Sequence, residues 1–145
     1  MPYAIAWYIK DEILFVRFSG VLTGDDLRAY MKEAWSFVES SPRPLVHAIN
    51  DVGDVVEPVS LIESLKVIRA SEPHPRTGWS VNIREKSALV KMGAGFGSSV
   101  FKVRFKSVNT LDEAIAHLQF VDSALSWDKA DASVVEGIPQ SRPRD

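Results

Sequence analysis

The stretch that decides the fold is Leu45-Val46-His47-Ala48-Ile49-Asn50-Asp51-Val52-Gly53-Asp54. Its first six residues form a short, mainly apolar run that is typical of a buried strand, and an acid and a glycine end the stretch. Pro58 suits the first position of a helix, so the next helix is predicted to begin there. Ligands and partners bind outside the carboxyl ends of strands in α/β domains, so we expect the functional site at the turn Asp51–Glu57.

Strand and helix patterns alternate before and after this predicted strand and helix. Two β-rich runs, 4–10 and 13–19, flank Asp11-Glu12 and predict an opening hairpin. The other predicted elements are a helix after the N-cap Thr23, strands over 79–83 and 100–107, a helix over 86–92 and a helix from the capping box at Thr110. The order ββαβαβαβα predicts an α/β fold with a mixed sheet of about five strands. We expect one domain over residues 1–127 and a flexible tail over 128–145, where apolar periodicity is lost.

Composition narrows the classes of function. The 145 residues include no cysteine, 46% are hydrophobic, 25% are charged, and the net charge is −2. Disulfides and thiolate metal sites are therefore excluded, and no apolar run reaches the roughly 20 residues of a membrane span. We expect a cytoplasmic protein without a signal peptide. An acidic domain with no recognition motif also argues against nucleic acid as a partner.

Basic residues are concentrated between Arg84 and Lys106, where six of them face one acid, a local charge of +5. They form either the solvated faces of a helix and an edge strand or a contact for an anionic partner. A glycine cluster within this stretch has the spacing G-x-G-x-G and precedes a strand, which does not match a nucleotide-binding loop. We expect it to be a flexible helix-to-strand connection. The candidate contacts for a ligand or anion are Gly93, Gly95, Gly97, Lys102, Arg104 and Lys106.

The three histidines, His47, His74 and His117, lack metal-ligand spacing, so neither a metal nor a cofactor is predicted. His47 and Asp51, completed by Ser60, could be imagined as a catalytic triad, but the spacing does not place one. We expect His47 to be partly buried and hydrogen-bonded within the sheet. No nucleophile, base and oxyanion donor can be assembled, so we expect that the protein is not an enzyme.

Diffuse patterns over residues 4–127 resemble a known family. They are the hairpin with Trp7, the helix entry at 20–26, the strand 45–51 ending in Asn-Asp, the helix 110–122 with Glu113-Ala114, and the closing Leu125-Ser126-Trp127. Together they resemble the SpoIIAA-like branch of the STAS domain group, the anti-sigma factor antagonist-like fold, which is similar to the CRAL-TRIO lipid-binding domains.

The resemblance implies a function. Classical members carry a phosphorylated serine in an Asp-Ser-x-Gly turn, whereas the matching positions here read Asp51-Val52-Gly53-Asp54, so the aspartate is kept and the hydroxyl is missing. It implies a non-enzymatic regulatory module that cannot be switched at this turn and binds a protein partner there. Asp51 and Gly53 would shape the turn, and Val52, Asp54 and Glu57 would present the surface. The similarity to CRAL-TRIO domains implies an alternative, a carrier or sensor of a lipid or another hydrophobic small molecule held between the second and third helices and the sheet. Homodimerisation stays open.

Overall fold

A mixed five-stranded sheet organises the chain. The computed structural model describes residues 2–70, 74–86 and 104–137. Its elements are β1 (Tyr3–Ile9), β2 (Ile13–Val21), α1 (Gly24–Ser40), β3 (Val46–Glu57), α2 (Leu61–Ala70), β4 (Thr77–Ile83), β5 (Phe105–Ser107), α3 (Leu111–Val121), a 3₁₀ turn (Trp127–Lys129) and α4 (Ser133–Glu136).

The strands follow one another across the sheet in the order β1-β2-β3-β4-β5. β1 and β2 form the predicted antiparallel hairpin, and the pairs β2–β3, β3–β4 and β4–β5 are parallel. The prediction of an α/β fold with a mixed sheet of about five strands is therefore confirmed. The predicted helix over 86–92 and the start of the predicted strand over 100–107 lie outside the described residues, except for residues 86 and 104.

Apolar side chains form one core on each face of the sheet. On the face that carries α1, the buried residues are Tyr3, Leu14, Val16, Phe18, Val38 and Val46. On the face that carries α3, they include Phe15, Ile49, Val81, Ile83, Ala114 and Leu118. Successive residues of β2 enter opposite cores, as the two-residue period of a strand requires. β2 is therefore buried on both sides.

Capping boxes begin two of the helices. The Thr23 side chain accepts the N–H of Asp26, and the Asp26 side chain accepts the N–H of Thr23 in return. Thr110 and Glu113 exchange the same pair of hydrogen bonds at the start of α3. Each box satisfies N–H groups that a helix leaves unpaired in its first turn. Both predicted helix starts are confirmed.

The predicted turn at Asp51–Glu57 is wrong, because β3 continues to Glu57. β2 also extends to Val21, and the extended ends of β2 and β3 pair with each other. The register of this pairing shifts at two places, as it does at β-bulges. As a result, Pro58 lies before the helix instead of opening it. α2 begins at Leu61, and the Oγ of Ser60 accepts the N–H of Glu63 at 3.2 Å.

The predicted flexible tail is wrong for residues 128–137, which pack on the α3 face of the sheet. Val134 is buried in the core of that face. The N–H of Asp131 donates to the carbonyl of Tyr8 at 2.7 Å, and the side chain of Arg17 donates to the carbonyl of Val135. The domain therefore includes α4, and residues 138–145 lie outside the described residues. Within the described ranges, no helix is long and apolar enough to cross a membrane.

Candidate functional site

A buried carboxylate lies between two arginines where the central strands approach their carboxyl ends. Arg17 of β2 and Asp51 of β3 are paired in register. Asp51 is 3% exposed and accepts hydrogen bonds from Arg17 Nη2 at 3.2 Å and from Arg84 Nε and Nη2 at 2.9 and 3.0 Å. The N–H of Gly53 donates to the same carboxylate at 3.0 Å. We call Arg17, Asp51 and Arg84 the ionic cluster.

The ionic cluster keeps Asp51 ionised. Burial alone raises the pKa of Asp51, but the hydrogen bonds from Arg84, Gly53 and Arg17 outweigh burial and hold that pKa below its ordinary value. The bond to Asp51 correspondingly raises the pKa of Arg84. A carboxylate that is already saturated with donors has no free lone pair for general-base chemistry or for a partner. The Asp51 carboxylate therefore joins β2, β3 and Arg84 and has no free acceptor for a ligand.

Gly53 allows Arg84 to lie against β3. A Cβ at Gly53 would come within 2.3 Å of the Arg84 Cζ, closer than two carbon atoms can approach without moving one of them. Arg84 itself takes the left-handed conformation, with φ of 59°, which is uncommon for a residue other than glycine. The sequence-based expectation that Gly53 has a shaping role fits this contact, although the local structure is a bulged strand and not a turn.

The other three predicted partner residues occupy different environments. Asp54 and Glu57 are exposed, and the Asp54 carboxylate lies 3.7 Å from Arg84 Nη2 at the edge of the ionic cluster. Val52 is half-buried and packs on the core of the α1 face instead of presenting a surface. Val56 is 78% exposed and takes the surface position that we assigned to Val52. The register shifts at the end of β3 explain this difference, because they break the regular alternation and place both Val52 and Val55 on the core of the α1 face.

Exposed apolar side chains collect at this end of the sheet. The described ranges contain six large hydrophobic residues that are exposed, and four of them lie at the ends of β2 and β3 or at the start of α2: Val21, Val56, Leu61 and Ile62. Beside them is an open depression of about 400 Å³ between the starts of α1 and α2. Its lining includes the acidic residues Asp25, Glu57 and Glu63. We call the end of β3 and the start of α2, residues 54–63, the β3–α2 surface.

His47 forms a buried dyad with a residue that the sequence did not suggest. Its Nε2 lies 2.8 Å from Asp122 Oδ2, and its Nδ1 accepts the N–H of Trp79 at 2.9 Å. Because Nδ1 is an acceptor, the ring proton is on Nε2 and points at the carboxylate. Asp51 and Ser60 take no part, so the imagined triad does not form. The hydrogen bond from Trp79 lies within the sheet, as expected, whereas His47 is fully buried and its other partner, Asp122, lies outside the sheet.

The other two histidines are also structural. His74 Nδ1 accepts the N–H of Arg76 at 3.0 Å. His117 packs edge-on against Trp79 with ring centroids 4.6 Å apart. Burial, followed by the charge of Lys106, lowers the pKa of His117. Within the described ranges, no group of histidines and acids could hold a metal ion.

The described basic residues between Arg84 and Lys106 lie in different environments. Arg84 belongs to the ionic cluster, whereas Arg104 and Lys106 are exposed at β5, and Arg104 donates to the carbonyl of Thr77 at 3.3 Å. The remaining candidate contacts, Gly93, Gly95, Gly97 and Lys102, lie outside the described residues.

Sequence reasoning missed three site residues whose partners are distant in the chain. Arg17 breaks an otherwise apolar strand, which is a signal for a buried ion pair. Nothing in the sequence connects Arg84 or Asp122 with its partner, because those partners are 33 and 75 residues away.

Comparison with solved structures identifies the fold. A crystal structure described as an uncharacterized protein from the DUF3478 family with a SpoIIAA-like fold, from Shewanella loihica PV-4, matches this chain with a TM-score of 0.58. The match covers 80% of this chain and 93% of that one. The chain has a SpoIIAA-like fold. The resemblance inferred from sequence is thus confirmed at the level of fold, at 18% sequence identity. No protein-family model and no curated protein matches the sequence.

Proposed function

We propose that this SpoIIAA-like domain is a non-enzymatic regulatory module that binds another protein through the β3–α2 surface. The observation that carries the proposal is the exposure of apolar side chains there: Val56 is 78% exposed and Ile62 is 69% exposed. Exposed apolar groups rimmed by polar ones are a recurrent feature of protein-interaction sites.

The charge of this surface suggests the chemistry of the partner. Asp54, Glu57 and Glu63 place three carboxylates beside the apolar residues, and Asp25 adds a fourth across the depression. Arg28, which contacts Asp25 at 2.9 Å and Glu63 at 3.8 Å, offsets part of that charge. A partner surface with an apolar centre and lysine or arginine at its rim would complement this arrangement.

The ionic cluster holds the strand that carries this surface. It fixes the end of β3 through Arg17 and Arg84, so that Val56 and Glu57 extend from a rigid base. A pre-ordered surface loses less conformational entropy on binding than a mobile loop. The proposal requires no phosphorylation, since Asp54 and Glu57 supply fixed negative charge.

The test is affinity capture with a matched pair of variants, followed by a binding measurement with the purified partner. Val56→Asp combined with Glu57→Lys alters the surface, while Lys106→Glu changes an equally exposed charge on β5. We expect wild type and Lys106→Glu to capture the same partner, and the surface variant to bind it at least tenfold more weakly with an unchanged circular dichroism spectrum. Equal binding by all three proteins would reject the proposed surface.

A further inference from the structure

Polar side chains form a row across three neighbouring strands on the α1 face of the sheet. Asn50 of β3 is paired in register with Asn82 of β4, and Asn82 is paired with Ser107 of β5. Paired residues in parallel strands point to the same face, so the three side chains are adjacent. Ser80, two residues before Asn82, extends the row toward the amino ends of the strands. We call these four residues the polar row.

Asn50 fixes the orientation of the row. Its Nδ2 donates to Ser80 Oγ at 2.8 Å and to Asn82 Oδ1 at 3.0 Å, and its Oδ1 accepts a bond from the Tyr30 hydroxyl at 3.4 Å. These bonds use both amide protons of Asn50 and settle which end of Asn82 faces it. The Nδ2 of Asn82 therefore points away from Asn50, and it has no acceptor among the described residues.

Ser107 supplies an independent observation. Its Oγ is buried and has no hydrogen-bond partner in the described part of the chain. Buried hydroxyls are nearly always paired, because an unpaired one loses its hydration without replacement. Among the described residues, the Ser107 hydroxyl and the neighbouring Asn82 Nδ2 both lack a hydrogen-bond partner, so one molecule could hydrogen-bond to both.

The chemistry of the row limits what that molecule can be. The side chains are amides and hydroxyls, and burial raises the pKa of the neighbouring Tyr30 to about 12, so none of these groups is charged at neutral pH. Within the row itself a charged ligand would find no counter-ion among the described side chains, and an apolar chain would cover polar groups without pairing them. Hydroxyl groups, which both donate and accept, match the row, and strands roughly 5 Å apart place neighbouring side chains within reach of one small ring.

We propose that the polar row binds a small uncharged polyol or sugar through Ser80, Asn82 and Ser107. This site lies on the opposite face of the sheet from the ionic cluster, and it goes beyond the proposed protein-binding function. It also differs from the lipid or other apolar ligand that the sequence analysis gave as an alternative.

The test is an NMR titration of ¹⁵N-labelled protein with myo-inositol and glucose, using inorganic phosphate as the charged control. We expect saturable shifts of the backbone amides of Ser80, Asn82 and Ser107 and of the Asn82 side-chain amide, with dissociation constants in the millimolar range. No saturable shift with either polyol overturns the proposal. Saturation by phosphate alone also overturns it, because the site would then recognise charge.

Two variants distinguish a ligand site from a structural network. Ser107→Ala removes a hydroxyl that makes no hydrogen bond to the described residues, so we expect it to fold at least as stably as wild type and to bind the polyol three- to tenfold more weakly. Ser36→Ala, on the exposed side of α1, is the matched control and should bind like wild type. If Ser107→Ala binds as tightly as the control, the assignment of Ser107 is wrong. Asn82→Leu removes the side-chain amide at the neighbouring position and gives a second test of polyol binding. Its thermal unfolding shows whether the variant is folded.

Discussion

Replacing Asp51 by asparagine tests the ionic cluster directly, because it keeps the side-chain volume and removes the charge. The substitution leaves two guanidinium groups facing an amide. The amide has one acceptor oxygen, whereas the carboxylate offers two oxygens to the same arginine donors. Breaking a fully buried ion pair costs about 3–5 kcal/mol. The Arg84 side chain is 46% exposed and can turn toward water, so we expect a smaller loss of about 2–3 kcal/mol.

The assay is urea unfolding followed by tryptophan fluorescence, with wild type, Asp51→Asn and Asp54→Asn compared at pH 7 and near pH 3. Asp54 is exposed and meets Arg84 only at 3.7 Å, so its substitution should change the unfolding free energy by less than about 0.5 kcal/mol. Equal m-values are needed for the comparison, because they show that the variants unfold to similar states.

The pH dependence of the unfolding free energy shows whether the charge of Asp51 stabilises the fold. The pKa of Asp51 is lowered in the folded protein, so its ionised form stabilises the fold above the unfolded-state pKa near 4, and that contribution is lost as pH falls through the lowered folded-state value. The gap between wild type and Asp51→Asn should therefore be largest at pH 7 and should shrink near pH 3. If Asp51→Asn unfolds like Asp54→Asn at pH 7, or if the gap does not depend on pH, the reasoning is refuted.

Three other substitutions probe contacts elsewhere in the domain. Gly53→Ala should destabilise by about 1–3 kcal/mol because its Cβ meets the Arg84 guanidinium, and adding Arg84→Ala should cost less than the sum of the two single changes in denaturant unfolding. Glu12→Ala should lower the unfolding free energy by about 2 kcal/mol, since the Glu12 carboxylate accepts the N–H and the hydroxyl of Ser126 at 2.7 and 2.9 Å; no change in thermal midpoint would contradict this. Val134→Ala should cost about 1–2 kcal/mol by calorimetry, whereas a loose tail would give none.

Local signals predicted most of the fold. The hairpin follows from alternation around Asp11-Glu12, and the helix starts follow from the capping residues Thr23 and Thr110, because each of these interactions spans only a few residues. The extension of β3 to Glu57 could not be predicted in this way. It depends on pairing with the extended end of β2, and the aspartate and glycine in that segment locally favour a turn.

In the candidate site, too, some features could be predicted from local sequence and others could not. Asp51, Gly53, Asp54 and Glu57 were selected because a turn was expected after the strand, whereas all four lie within β3, which continues to Glu57. The assignment of roles failed for Val52, because a turn and a strand direct the same side chain to different sides. Two asparagines near the ends of consecutive strands, Asn50 and Asn82, were a readable signal for the polar row, whereas the unpaired hydroxyl of Ser107 is visible only in the structure.

The contacts between the opening hairpin and the C-terminal segment have a consequence for synthesis of the protein. Glu12 holds Ser126, and Tyr8 holds Asp131, so sequence positions more than 110 residues apart must meet before the α3 face of the sheet is covered. At about 5–20 residues per second, the ribosome needs roughly 6–23 seconds to make the residues between Glu12 and Ser126. During that time Phe15 and Ile13 lack their final cover, so the nascent hairpin is a segment on which a chaperone could act.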